Sequence, residues 1–259
     1  MSGNLLVSHE GRTRRLTLDR PARRNALDLG LCHGLISAMK EAENDPGAGA
    51  ILIDANGPDF CAGMDLSEAL ETEVADVEAM VAVHLELFSI GSRILKPVIA
   101  AVQGAALAGG LGLAVNAHVV VAASNARFGL TERRIGLWPC AIFRAIAAAA
   151  GERKAVELAL TARLFDAEEA MRLGIVDFVA APAELGERAA SLAATIAEGS
   201  AAASEEGLRF VRAIGGKDEA TAASAAAEFR RRGQGSPDFR EGVLAFLAKR
   251  KPVWPSHGA

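Results

Sequence analysis

The chain has 259 residues, 51% of them apolar, and a formal net charge of −4. That length can bury a sizeable core and suits one large α/β domain, or a domain with a helical appendage. Mild acidity without a dominant basic patch argues against nucleic-acid binding, and the apolar stretches fall short of the ~20 residues that span a membrane.

Along the chain, Leu5 to Leu18 reads as a hairpin turning at Glu10-Gly11, closed by Asp19-Arg20-Pro21. Asn25 or Asp28 starts a helix that runs toward Ala42 and stops at Asp45-Pro46-Gly47. Ala50 to Ala55 is a short buried strand ended by Asn56-Gly57, and Leu66 to Leu95 is helical, in two pieces. Val98 to Val102 is a strand, Gly109 opens a helix to about Ala117, and Val119 to Ala122 is a strand again. Strands that alternate with helices predict a mostly parallel sheet. Helices follow over Ile142 to Ala150, Arg153 to Ala162 and Ala167 to Leu173, then a last short strand from Ile175 to Val179. Beyond Pro182 helices dominate, including the alanine-rich Ala220 to Phe229 and a final helix, Phe239 to Lys249, set off by Gly233-Gln234-Gly235-Ser236-Pro237. The start, Met1-Ser2-Gly3-Asn4, does not read as a secretory leader. Cys32, Cys61 and Cys140 have neither paired nor metal-ligand spacing, so a reducing cytoplasm and no metal are expected.

Two glycine turns separate themselves from this background. Phe60-Cys61-Ala62-Gly63-Met64-Asp65 follows the run Ala50 to Ile53, and Gly104 to Gly112 follows Pro97 to Val102. Each has the order strand, turn, helix. A helix start presents unpaired N–H groups and a positive dipole end, and two such ends facing one pocket could hold a developing oxyanion. Some twenty residues further on, Phe128-Gly129-Leu130-Thr131-Glu132 carries a carboxylate placed to move a proton.

Taken together, these segments resemble the crotonase superfamily, the enoyl-CoA hydratase/isomerase family. The likeness runs from Leu16 to about Lys251. It is carried by Leu18-Asp19-Arg20-Pro21 with Asn25-Ala26-Leu27, by Phe60 to Leu66, by Ile99 to Gly110, by Ala126 to Glu132, by Leu160-Thr161-Ala162, and by Ala167 to Ala170 with Gly174-Ile175-Val176. The resemblance implies an α/β spiral of ββα units over residues 1–195, a C-terminal helical region over 196–259 for trimerisation and CoA capping, and trimers often stacked as hexamers. It implies an acyl-CoA thioester as substrate, with coenzyme A entering as part of that substrate and no separate cofactor. It gives the N–H groups of Met64 and Gly109 the thioester oxygen and makes Glu132 the acid–base group. Ala62, Asp65, Leu66 and Ser67 line the CoA entrance, Arg23-Arg24 with Ala26 lie beside it, and Phe246 and Lys249 close over CoA, in many members from an adjacent subunit.

The chain departs from the family at one decisive place. Hydratases use two glutamates, and the first falls at Gly112. One carboxylate cannot divide the work of holding water and protonating carbon, but it can carry a proton from one carbon of an enolate to another. A double-bond shift by Glu132 is therefore the expected reaction. The alternatives are hydration without the first acid, decarboxylation or thioester hydrolysis, and a non-catalytic acyl-CoA-binding subunit. Among the remaining residues, Trp138 and Phe143 could shape an acyl pocket but read as core. Cys61 and Cys140 read as buried packing, and His118 as structural. His84 reads as partly exposed or satisfied in the core. Glu68, Glu71 and Glu73 read as a solvated helix face, and the bland alternative for Glu132 is an ion pair with Arg127, Arg133 or Arg134.

Overall fold

The computed structural model describes residues 4–71 and 76–258. Strands β1 (Leu5–Glu10) and β2 (Thr13–Leu18) form the antiparallel hairpin, with Leu5 opposite Leu18. The other strands, in chain order, are β3 (Ala50–Ala55), β4 (Val98–Val102), β5 (Ala105–Leu107), β6 (Val119–Ala123), β7 (Arg127–Gly129), β8 (Phe165–Asp166) and β9 (Phe178–Ala180). They make a six-stranded sheet ordered β1-β2-β3-β4-β6-β9, parallel beyond the hairpin, and a small second sheet, β5-β7-β8. The helices are α1 (Leu29–Asn44), α2 (Leu66–Glu71), α3 (Val77–Ile90), α4 (Gly109–Val115), α5 (Cys140–Ala150), α6 (Glu152–Thr161), α7 (Ala167–Arg172), α8 (Leu185–Ala197), α9 (Ala201–Ile214), α10 (Glu219–Gln234) and α11 (Pro237–Leu247). Among the described residues, no helix is long and apolar enough to cross a membrane.

The central strands are apolar on both faces because both are covered. Ala50 and Leu52 of β3, Ile99 and Ala101 of β4, and Val121 and Ala123 of β6 pack on one face against Leu185, Ala189, Ala193 and Ala197 of α8. Those four recur every fourth residue, one stripe of the helix. The alternate side chains, including Ile51, Ile53, Val98, Ala100 and Val102, point into the main core with Leu31, Leu35 and Met39 of α1. Local chemistry sets the ends. The Asp28 carboxylate accepts the Leu31 N–H (2.7 Å) and caps α1. Asn25 is no cap. It is buried, and its amide donates to the carbonyls of Asn56 (2.9 Å) and Asp59 (2.8 Å), tying the loop before α1 to the loop after β3.

Several boundaries differ from expectation. The last strand is Phe178–Ala180, not Ile175–Val179. Gly174 turns with a φ of +74°, and the Ile175 N–H donates back to Ala170 (2.9 Å), so Ile175 closes α7. The final helix starts earlier, at Pro237, where the Ser236 hydroxyl accepts the Phe239 N–H (3.1 Å). Helix α4 ends at Val115. Strands β5, β7 and β8 have two or three residues each and no readable alternation. Of the acidic face expected near residue 70, Glu73 and the Glu71 side chain lie outside the described residues, as do Met1, Ser2 and Gly3. Glu68 is not a free surface group, because it accepts the Leu29 N–H at 2.9 Å and holds the start of α1.

Leu52 is 1% exposed between β3 and α8. Leu52→Ala is expected to lower unfolding free energy by about 2–4 kcal/mol in urea titration. A loss below about 1 kcal/mol would mean that α8 does not bury the sheet as described.

Candidate active site

Two loops and a strand fix the first turn. The Cys61 N–H donates to Ala105 (2.9 Å) and the Leu107 N–H to Cys61 (3.0 Å), which lays residues 60–62 beside β5. On the other side, the Leu27 N–H donates to Gly63 (2.8 Å) and the Asp65 N–H to Leu27 (2.9 Å). Residue 64 is held between these bonds, yet its own N–H makes none among the described residues. In the second turn the Ala108 N–H donates to Gly129 (2.8 Å), and Ala108 takes a φ of +48° just before α4 opens. The Gly109 N–H is likewise without a partner.

The turns touch. A Cβ built on Gly63 would lie 3.1 Å from the Ala108 Cβ and 3.6 Å from the Gly109 nitrogen. A Cβ on Gly110 would strike the Cys61 carbonyl and come within 2.9 Å of its Cβ, so only glycine lets α4 approach this closely. Met64 and Gly109 line one cavity of about 530 Å³, together with Glu132.

Glu132 opens a short 3-10 helix, Glu132–Ile135, after β7. Its Oε2 is buried and has no hydrogen-bond partner among the described residues. Burial pushes its pKa above the usual carboxylate range. The ion-pair alternative fails, because Arg133 donates to the Leu160 carbonyl (2.5 Å), Arg134 to Ala162 (3.1 Å) and Arg127 to Ala126 (3.0 Å). Gly112 is buried against α5. A Cβ there would overlap the Ile142 side chain, 2.9 Å from its Cβ. Apolar packing therefore stands at the position of the absent carboxylate.

The remaining residues sort by location. Ala62 and Leu66 line the cavity. Arg24, Ala26, Asp65 and Ser67 do not, but they surround the first turn. The Ala62 N–H donates to Arg24 (3.0 Å), and Ala26 accepts from the Arg20 guanidinium. The Ser67 hydroxyl (2.5 Å) and Arg20 (3.0 Å) hold the Asp65 carboxyl down to about 2. The Arg24 side chain is 56% exposed and donates to Asp59 at 2.6 Å. Phe246 and Lys249 lie elsewhere on this chain. Phe246 is 82% exposed and lines a separate hollow of about 670 Å³ with Phe239, Val243 and Trp254. Cys61 is buried, but Cys140 is exposed and lines the cavity, contrary to expectation. Trp138 is not core either. It is 40% exposed on the cavity wall, with its ring 6.1 Å from Phe143. His118 accepts the Val98 N–H at 3.0 Å, a structural role. His84 is 7% exposed and lines the cavity, and no hydrogen bond among the described residues satisfies it. Phe88 and Ile142 also form the walls. The signal for Phe88 was the stripe Val77, Val81, His84 and Phe88, spaced as one face of a helix.

Two outcomes follow from the packing and burial. Gly112→Ala is expected to destabilise the protein by about 1–3 kcal/mol, and Ile142→Ala in the same chain to recover part of it. A denaturation cycle with a coupling below about 0.5 kcal/mol would contradict the contact. For Glu132, the folded pKa lies above the unfolded one, so the folded chain holds the proton longer and stability falls as pH rises between the two values. Glu132→Gln should therefore raise the melting temperature at neutral pH, with the gain vanishing at acid pH. An equal effect at both pH values would count against burial as the cause.

Comparisons with known proteins identify the family and the fold. The family model described as enoyl-CoA hydratase/isomerase matches residues 11–257. A Rhizobium meliloti protein named a probable enoyl-CoA hydratase is 36% identical, over 95% of this chain and 96% of its own. The 2,3-dehydroadipyl-CoA hydratase of Escherichia coli is 34% identical, over 96% of this chain and 97% of its own. A solved enoyl-CoA hydratase of Mycobacterium smegmatis superposes with a TM-score of 0.92 at 30% identity, over 98% of this chain and 99% of that one. The α/β fold with its C-terminal helices is therefore the crotonase fold, and the chain is an acyl-CoA-processing member of the enoyl-CoA hydratase/isomerase family.

Proposed function

We propose that this chain shifts the double bond of an enoyl-CoA, with Glu132 as the proton shuttle. The observation that carries this is a Glu132 carboxyl oxygen, buried and without a partner among the described residues, on one cavity with Met64 and Gly109, whose N–H groups are unpaired, while the position of the first glutamate is glycine packed on isoleucine. The thioester oxygen accepts from the N–H groups of Met64 and Gly109. The ionised Glu132 removes a proton from carbon 2 of a 3-enoyl thioester, and the electron pair delocalises to the thioester oxygen as a dienolate. The same carboxyl, now protonated, delivers that proton to carbon 4, leaving the double bond between carbons 2 and 3. Each donor aimed at the oxyanion contributes about 3–4 kcal/mol to the barrier reduction. In this reading CoA enters over Ala62, Asp65, Leu66 and Ser67, with Arg24 toward its phosphates and Ala26 beside it. Phe246 and Lys249 of a neighbouring copy close over it in a trimer or a hexamer within the cytoplasm. The exposed Phe246, Leu247 and Val253 support such an assembly.

Hydration is the second reading, favoured by the names of the relatives, which are hydratases. There Glu132 alone activates a water, and the product is a 3-hydroxyacyl-CoA.

Purified protein incubated with 3-hexenoyl-CoA should form conjugated 2-hexenoyl-CoA, with Glu132→Gln slower by about 10²–10⁴. The wild-type kcat/KM should rise with pH through an apparent pKa above the ~4.3 of free glutamate. Wild-type turnover no faster than that of the variant rejects the isomerase. Hydration of crotonyl-CoA in its place selects the second reading, and release of free CoA or CO₂ selects hydrolysis or decarboxylation. Acyl-CoA binding with no turnover across the panel selects a non-catalytic subunit.

A further inference from the structure

His84 has no role in the chemistry above, and its setting is unusual. It is 7% exposed, on the wall of the cavity that holds Glu132, and no hydrogen bond among the described residues reaches its ring. Its ring contact is with Phe88, centroids 6.3 Å apart. The surrounding wall is apolar, with Val81, Leu85, Leu137 and Ile142. Its ring nitrogens open onto the cavity rather than into packed core, so a ligand oxygen there can pair with one of them in place of water. The position along the pocket follows from the helix. A Cβ on Gly109 would lie 2.9 Å from Phe88 Cζ, so Phe88 sits under the amide assigned to the thioester oxygen. His84 is one turn away on the same face of α3, about 5.4 Å along the axis. In the acyl-CoA reading, that sets it along the cavity wall away from the two amides, where an acyl chain can run.

Resting on the acyl-CoA reading of this cavity, we propose that His84 determines acyl specificity by hydrogen-bonding a neutral oxygen, hydroxyl or oxo, carried on the acyl chain beyond the thioester. A neutral imidazole offers one donor and one acceptor, which matches a hydroxyl or a ketone. Burial favours that uncharged form. A carboxylate fits less well, because Arg134, the cation on this cavity wall, already spends its Nε and Nη2 on the Ala162 carbonyl.

Binding to saturated thioesters, which cannot undergo the double-bond shift, tests this apart from turnover. Titration calorimetry would compare hexanoyl-CoA with 4-, 5- and 6-hydroxyhexanoyl-CoA, 5-oxohexanoyl-CoA and adipyl-CoA. Wild type should bind one hydroxy or oxo analogue about tenfold more tightly than hexanoyl-CoA. His84→Leu should bring that ratio to about one, and His84→Gln, which keeps a donor and an acceptor, should restore part of it. No preference in wild type for any hydroxy or oxo analogue overturns the proposal, and so does a preference for adipyl-CoA or one that survives in His84→Leu. The wild-type ratio decides even if a variant fails to fold. Hexanoyl-CoA that binds without an oxygen preference sinks only the role of His84. Hexanoyl-CoA that does not bind at all sinks the acyl-CoA reading of the cavity and this proposal with it.

Discussion

The contact between two backbone turns organises this molecule. Residues 60–65 run between the loop at Leu27 and strand β5, and α4 starts against them with Gly110 facing the Cys61 carbonyl. The N–H groups of Phe60, Cys61, Ala62, Asp65, Leu107 and Ala108 are spent on carbonyls, while those of Met64 and Gly109, two residues that line the cavity, have no partner among the described residues. Unpaired amides are a cost to the empty protein. In the proposed reaction the surrounding ladder holds them in place, so no reorganisation is needed when negative charge arrives. The rest of the fold serves that alignment: β3 and β4 deliver the turns, and α8 and α1 close the two faces of the sheet that carries them.

Charge inside the cavity is sparse, and that sparseness decides which chemistry fits. Glu132 is the acid on the wall, and its arginine neighbours in sequence all turn to backbone carbonyls. Burial of this carboxyl raises its affinity for a proton, which suits the proposed shuttle. The absence of a second acid is not an empty space waiting for one. Ile142 fills the position beside Gly112, so a carboxylate side chain cannot be added there unless the Ile142 side chain gives way. His84, like the Thr131 hydroxyl, is then a group of the wall able to exchange hydrogen bonds in either direction.

The C-terminal helices follow a different logic. Neither α9 nor α10 has a buried residue on this chain. Asp238 anchors the last segment by accepting from the hydroxyls of Ser200 (2.5 Å) and Ser256 (2.6 Å). The apolar side chains Phe246, Leu247 and Val253 face outward.

Much of this was legible in the order of residues. Strand, turn and helix alternation in the first half follows from local patterning, and the glycine turns with Glu132 stand at readable intervals, because backbone geometry imposes residue types that a sequence displays. What depends on contacts across the chain was not legible. Cys140 and Trp138 look like core by composition, but they face a cavity. His84 looks like an ordinary partly satisfied histidine, and only the packing of α3 leaves it buried and unpaired. Glu68 looks solvated, and only the approach of α1 gives it the Leu29 N–H. Strands β5, β7 and β8 are too short to show a period, so only their pairing reveals them. The sequence alone determined which backbone turns exist and which acid accompanies them, since these depend on near neighbours. Only the tertiary structure decided which side chains share the cavity with them and which lack a partner, since burial and pairing depend on residues far away in the chain.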